Sequence, residues 1–343
     1  MGASYNEGVT RWLFPVFLAL LASWPAYARA QQVIAVSASP VIRMQMRSGS
    51  LTVRTWDKPQ VQISSNAPVR ARHVEPQMVE NALPPEITIF DASIQTPDGP
   101  VILPPESFPL GSVLDAPHDG VVIFGGDQGA DVTLTIPNST ALLWTVVGAG
   151  RITVSDYRGG TFVALVHTGG LHLRNVSGDG YAQVARGPMV VQNSAFNRIR
   201  ARTAAGNIVF ENCNVRQIVA TSVNGSIAYD NGTFVPGVAR FESQNGNVAI
   251  GVAGGGALID AHSTGGRIFS GFSGGAAVTG SPTDAQAIVG PGGPVITANS
   301  QRGGVYLYNG ALRSHGRLQG AWEPIGRILR RPLQEKLPHR RHI

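Results

Sequence analysis

The residues able to do chemistry are few and spread along the chain. Asp156, Asp179, Glu211, Asp230 and Asp260 are carboxylates that a glycan-cleaving site would draw on. Such a site needs two or three carboxylates, or a carboxylate with Arg or Lys, converging in one cleft. Asp260-x-His262 is the best acid–base pair, because counting forward from its glycine gives Asp260 the offset of core-facing Ala220 and Ala201. Four of these acidic residues stand beside expected corners, where Asp is an ordinary turn former. Arg198, Arg200, Arg202, Arg216 and Arg240 are expected near one another on an outer face. An arginine stripe there suits acidic polysaccharide, lipid head groups or another polyanion, with Glu211 and Glu242 available to neutralise it. The sequence holds no phosphate-binding loop, dinucleotide fingerprint, zinc spacing, nucleophile elbow or calcium-binding glycine-rich repeat, so no metal and no cofactor are expected.

The elements that would position these residues come from a repeat. Between Val147 and Asn309 one phrase returns about every 19 residues, with glycines at 150, 169, 187, 206, 225, 246, 266 and 303. Two past each glycine stand Ile152, Leu171, Met189, Ile208, Ile227, Val248, Ile268 and Val305. A second alternating residue follows, and then commonly asparagine. The phrase describes a turn, a strand and a second turn, and the rest of each period holds another strand. One such unit cannot bury its own apolar face, whereas stacked copies share a continuous core. The expectation is an all-β, single-stranded β-solenoid of about nine coils, a rod on the order of 43 Å long at about 4.8 Å per coil. The gap of 37 before Gly303 reads as two periods with one degenerate copy.

The pattern assigns further roles. Asn175, Asn193, Asn212 and Asn231 are read as a structural corner ladder, since Asn tolerates the left-handed region and its amide can bond the Asn stacked on it. Three past each glycine, Val190, Val209, Ala228, Ala249 and Phe269 should face away from the core. An outward apolar strip implies a cover, supplied either by other parts of the chain or by a partner.

Residues 1–30 read as a cleaved signal peptide, with Arg11, an apolar run from Leu13 to Ala22 and Ala28-Arg29-Ala30 at the cleavage point. The body then begins with strands and turns over 31–66, continues through a proline-rich, irregular insertion over 67–130, and holds the repeats over 131–310. A second irregular stretch, Gly271 to Gly293, is expected to loop out. The tail, 311–343, is basic, and Ile325, Ile328, Leu329 and Leu333 have helical spacing in it. The net charge of +6 resides in that tail: from Gln31 to Gly310 there are 17 Lys+Arg against 18 Asp+Glu. A near-neutral body argues against nucleic acid, and the tail fits a weak contact with an acidic or membrane surface. The lone Cys213 excludes an internal disulfide and reads as a packing residue.

The segment Ser48-Gly49-Ser50-Leu51-Thr52-Val53-Arg54-Thr55-Trp56-Asp57 with its following Val-x-Ile strand, and the copies around Gly150, Gly206, Gly225 and Gly246, resemble the bacterial putative adhesin family. That resemblance implies a secreted β-solenoid domain and supplies no catalytic residues. The expected function is a non-catalytic, adhesin-like protein of the cell envelope, exported to the periplasm, the outer-membrane surface or the medium, with an envelope protein or acidic glycan as partner. The alternatives are a carbohydrate-active enzyme, a lyase or hydrolase using Asp260 and His262, and a structural periplasmic protein without ligand.

Overall fold

The computed structural model describes residues 30–76, 86–89, 92–96, 99–103, 106–109, 117–125, 129–272 and 276–311, and these form an all-β protein. Residues 1–29, which fall within the stretch read as a signal peptide, and the tail from residue 312, with its helical spacing, lie outside the described residues.

The repeat phrase becomes a row of parallel, in-register strands. Strand Leu142–Ser155 pairs with Thr161–Arg174 so that Gly150 meets Gly169, Ile152 meets Leu171 and Val154 meets Leu173. The column continues from Leu171 through Met189, Ile208, Ile227 and Val248 to Val305, every member buried. The glycines are required by contact between copies. A Cβ on Gly169 would lie 1.6 Å from the Gly150 carbonyl oxygen, and one on Gly187 would lie 1.7 Å from that of Gly169. Three before the glycine, the buried hydroxyls of Ser222, Ser243 and Ser300 donate to the carbonyls of Gly206, Gly225 and Gly246 at 3.1, 2.8 and 2.8 Å. Each of these bonds ties one copy to the next at its tightest point.

A second row of strands lies before each glycine. Its core column runs Phe162, Gly180, Ile199, Ile218, Ala239, Ile296 and Ile259. Aromatic side chains fill the space between the rows, with Phe210, Tyr229, Phe234 and Phe241 in mutual contact at centroid distances of 4.4–6.3 Å. Tyr229 is kept satisfied there by its hydroxyl, whose single hydrogen is shared between the carbonyls of Cys213 and Thr233, each at 2.8 Å.

At both ends, order in space departs from order in sequence. Strand Val41–Trp56, with Gly49 at its bend, pairs parallel with Leu142–Ser155 on one side and with Ala130–Pro137 on the other, so the earlier strand is enclosed by later ones. The stretch read as an insertion supplies Val69–Val74 and Gly120–Gly125 to the same sheet. At the other end, Val295–Ser300 and Val305–Asn309 lie between the copies of Gly246 and Gly266. The gap of 37 therefore holds no degenerate copy. Nor does Gly271 to Gly293 simply loop out: Ala276–Gly280 and Asp284–Val289 form an antiparallel hairpin that lies against Ala257–Ser263 and closes the stack.

Candidate functional site: the outer face of the second row

Strand Ala195–Ala205 presents Arg198, Arg200 and Arg202 at alternate positions, opposite buried Ile199 and Ala201. Period-two alternation puts all three guanidinium stems on the outer face, spaced by roughly 6.6 Å. Arg198 Nη2 lies 2.9 Å from Asp179 Oδ2, and its guanidinium stands 5.0 Å from the Phe108 ring centroid. Phe108 comes from strand Glu106–Pro109 of the proline-rich stretch and meets Tyr181 edge-on at 5.7 Å. Together with Val41, Leu142 and Val163 these two rings make a small apolar cluster on the outer face. Arg202 is buried and donates to the Tyr181 hydroxyl at 3.3 Å, while that hydroxyl donates to Gln183 Oε1 at 2.9 Å. Arg240 occupies the column of Arg200, one strand beyond Val219, and its Nε donates to Glu242 Oε1 at 2.6 Å. Arg216 falls elsewhere. It lies at the bulge that breaks the register between Val215 and Gln217, so it does not join the row.

The acid–base pair is also placed differently from the sequence expectation. Asp260 pairs with Thr297, and Ala261 with Ala298, so Asp260 shares the outward column of Arg200 and Arg240 while Ala261 takes the core position. The cause is one extra residue between Gly246 and Gly266 relative to the 19-residue copies, which inverts any side counted forward from Gly246. Glu211 and Asp230 belong to the first row, and Asp179 is engaged by Arg198 and Asn197. The five carboxylates do not meet in one cleft. Among the described residues no group of three His, Cys, Asp or Glu side chains is arranged to hold a metal ion.

The first-row apolar strip is largely covered. Val209, Ala228 and Ala249 are buried in a second apolar cluster with Tyr306 and Tyr308, because the outer side of this row is itself packed. They therefore form no open binding strip. Val190 is half-buried, and Phe269 remains exposed, stacked at 4.9 Å and 11° on Tyr306. Gly251 leaves the space that the Tyr308 ring fills, and the Tyr308 hydroxyl donates to Asp230 Oδ1 at 3.1 Å. Burial first, then the Asp230 charge and hydrogen bond, raises Tyr308 well above the ordinary phenol range.

The corner asparagines have φ of 53° at Asn175, 50° at Asn193, 53° at Asn212 and 50° at Asn231. Amide groups run between copies, from Asn231 to Asn212 at 2.6 Å, from Asn212 to Asn193 at 3.2 Å, and from Asn175 to Asp156 at 2.8 Å. These contacts consume the polar atoms of the corner in holding copies together.

One cluster was invisible in the sequence. Asp119 accepts from the Ser37 amide at 2.8 Å and from the Ser37 hydroxyl, and its Oδ2 lies 3.1 Å from His73 Nε2. The members are 82 and 46 positions from Asp119, and no local pattern announces them. Burial pushes the Asp119 carboxyl up, but the hydrogen bonds from Ser37 and His73 and the charge of His73 together hold it below the ordinary carboxylate range. The carboxylate stands between hydroxyl and imidazole. A nucleophile relay needs the imidazole in the middle, so this cluster acts as a clamp on the end of the stack.

Fold and face together define an all-β repeat protein with a partly neutralised arginine row on one outer face. No family model matches the chain, and no curated protein matches it. Among solved structures it is similar to one described as a putative cell adhesion protein from Clostridium sporogenes, at 8% identity over 82% of this chain and 99% of that chain, with a TM-score of 0.18. A likeness at that score is recorded as a distant one and carries no argument.

Proposed function

We propose that this is an exported, non-catalytic β-solenoid of the bacterial cell envelope, an adhesin-like rod that holds an acidic glycan along the second row. The observation that carries this reading is the outward column that Arg200 and Arg240 share on the second row, with Arg198 on the same strand face as Arg200. Arginine forks suit the carboxylates of uronic-acid polymers. The repeat makes the platform stiff, since the inner strands are paired on both sides and the corner asparagines are bonded between copies.

The test uses the chain from Gln31, with polygalacturonate as the acidic probe and dextran as the neutral one. Saturable binding to polygalacturonate alone is expected, weakening by about tenfold in Arg200→Glu/Arg240→Glu and also weakening with added salt. Equal binding of both polymers, or binding indifferent to the charge reversal, would sink the proposal. Shortening of the polymer by the wild type would favour the carbohydrate-active alternative, and no binding at all would favour a structural role.

A further inference from the structure

The two ends of the second row are finished in opposite ways. Toward the N-terminal end the core column runs Phe162, Leu143, Ile42 and Val121, all buried, and then reaches His73, which is exposed and held by Asp119. The edge strand there, Val69–Val74, carries Arg70, Arg72 and His73. Charges of this kind stop a free edge from pairing with another chain. Toward the C-terminal end the column runs Ile218, Ala239, Ile296, Ile259 and Ala287, all buried, and ends on Val278, 41% exposed. The strand that carries it, Ala276–Gly280, reads AAVTG. It has no charge and no proline. It pairs with Asp284–Val289 on one side and, among the described residues, with nothing on the other.

We propose that this edge is a docking surface for a second copy of the chain. An antiparallel strand pair can be related by a two-fold axis, which makes the contact self-complementary and closed. With the axis at Val278, that side chain would face the partner's Val278, Ala277 would face the partner's Thr279, and Ala276 the partner's Gly280. The unpaired amides and carbonyls of both edges would be satisfied, and the core column would run through the joint from one rod into the other. Exposed Ile288, at 47%, lies on the opposite face of the adjoining strand and would border the contact. A joint of one short strand per copy is smaller than the roughly 800 Å² per partner of a standard interface, so a monomer–dimer equilibrium is expected in place of a permanent dimer.

The experiment is sedimentation equilibrium on the chain from Gln31 over a wide concentration range, for the wild type and Val278→Lys. It is joined by mild oxidation of Val278→Cys, with Phe124→Cys at the opposite end as control. Folding of each variant is checked by circular dichroism, and Val278 is exposed enough to tolerate both changes. The wild type should dimerise with rising concentration, and Val278→Lys should weaken the dimer by about tenfold or more. Val278→Cys should oxidise to a covalent dimer faster than Phe124→Cys. A wild type that stays monomeric would overturn the proposal: slow labelling of the Val278→Cys thiol would then identify the chain's own tail as the cover, and fast labelling would show a bare edge. A dimer indifferent to both Val278 variants would overturn it as well.

Discussion

Gly169→Ala tests the tightest contact of the stack. The residue has φ of 134°, and an added Cβ would stand 1.6 Å from the Gly150 carbonyl oxygen, whereas ordinary contact begins near 3.4 Å. The two copies would have to part locally by the difference, roughly 1.8 Å, which stretches the flanking backbone hydrogen bonds beyond useful length. Strain from the backbone conformation contributes about 1–3 kcal/mol. Two or three weakened hydrogen bonds at about 1 kcal/mol each bring the loss to about 3–6 kcal/mol, a large share of a typical domain's total stability. Gly129→Ala is the control, because φ there is 58° and nothing lies within 4 Å of the added Cβ. Its expected loss is about 1–2 kcal/mol, the conformational term alone. Urea unfolding followed by circular dichroism, on the chain from Gln31, separates the two. Since repeats couple mainly to their neighbours, Gly169→Ala should also broaden the transition or split it. Equal losses in the two variants would refute the reasoning, because the contact between glycines would then contribute nothing.

Two further outcomes follow from titratable groups. The folded Asp119 carboxyl lies below its unfolded value, so its stabilisation is complete above about pH 3.9 and is lost as pH falls through the folded value. Melting temperature measured from pH 6 to pH 2 should therefore fall more steeply for the wild type than for Asp119→Asn, which should already be weaker by about 1.5–3 kcal/mol at pH 6; parallel curves would show that the clamp contributes no proton linkage. Cys213 is buried, and burial, only partly opposed by backbone hydrogen bonds, pushes its thiol up to about 12. Because the thiolate is the reactive form, the native protein at pH 8 should resist a chromogenic disulfide reagent and take up one equivalent on unfolding, whereas prompt native labelling would contradict the packing.

What could be read from the sequence was whatever repeats locally. The glycine with its +2 apolar residue named a real column, from Ile152 to Val305, because each member meets the same surroundings one copy further on. The corner asparagines were legible for the same reason. Second-row register was legible only when counted back from the following glycine: Ala220, Phe241, Ala261 and Ala298 all stand five before theirs, and counting forward placed Asp260 on the wrong side. The buried serines three before the glycine do repeat, but a serine in a strand announces no direction. The clamp at Asp119 and the strands enclosed at each end depend on contacts between distant positions, such as Gly49 with Ala130, and no local pattern encodes those. The cover over Val209 was unreadable because alternation tells which way a side chain points and says nothing of what lies there.

The enclosed strands at the two ends set how the molecule can come apart under load. Because Val295–Asn309 is bracketed by earlier copies, tension applied near residue 311 would act first on a strand held along both of its edges, so many bonds must yield together before the chain lengthens. The same arrangement constrains assembly during synthesis. The slot between the copies of Gly246 and Gly266 stays unfilled until residue 309 has emerged, whereas Val41–Trp56 meets Ala130–Pro137 before Leu142–Ser155 is made. The C-terminal end of the stack is therefore completed by a late insertion, and it resists fraying for that reason.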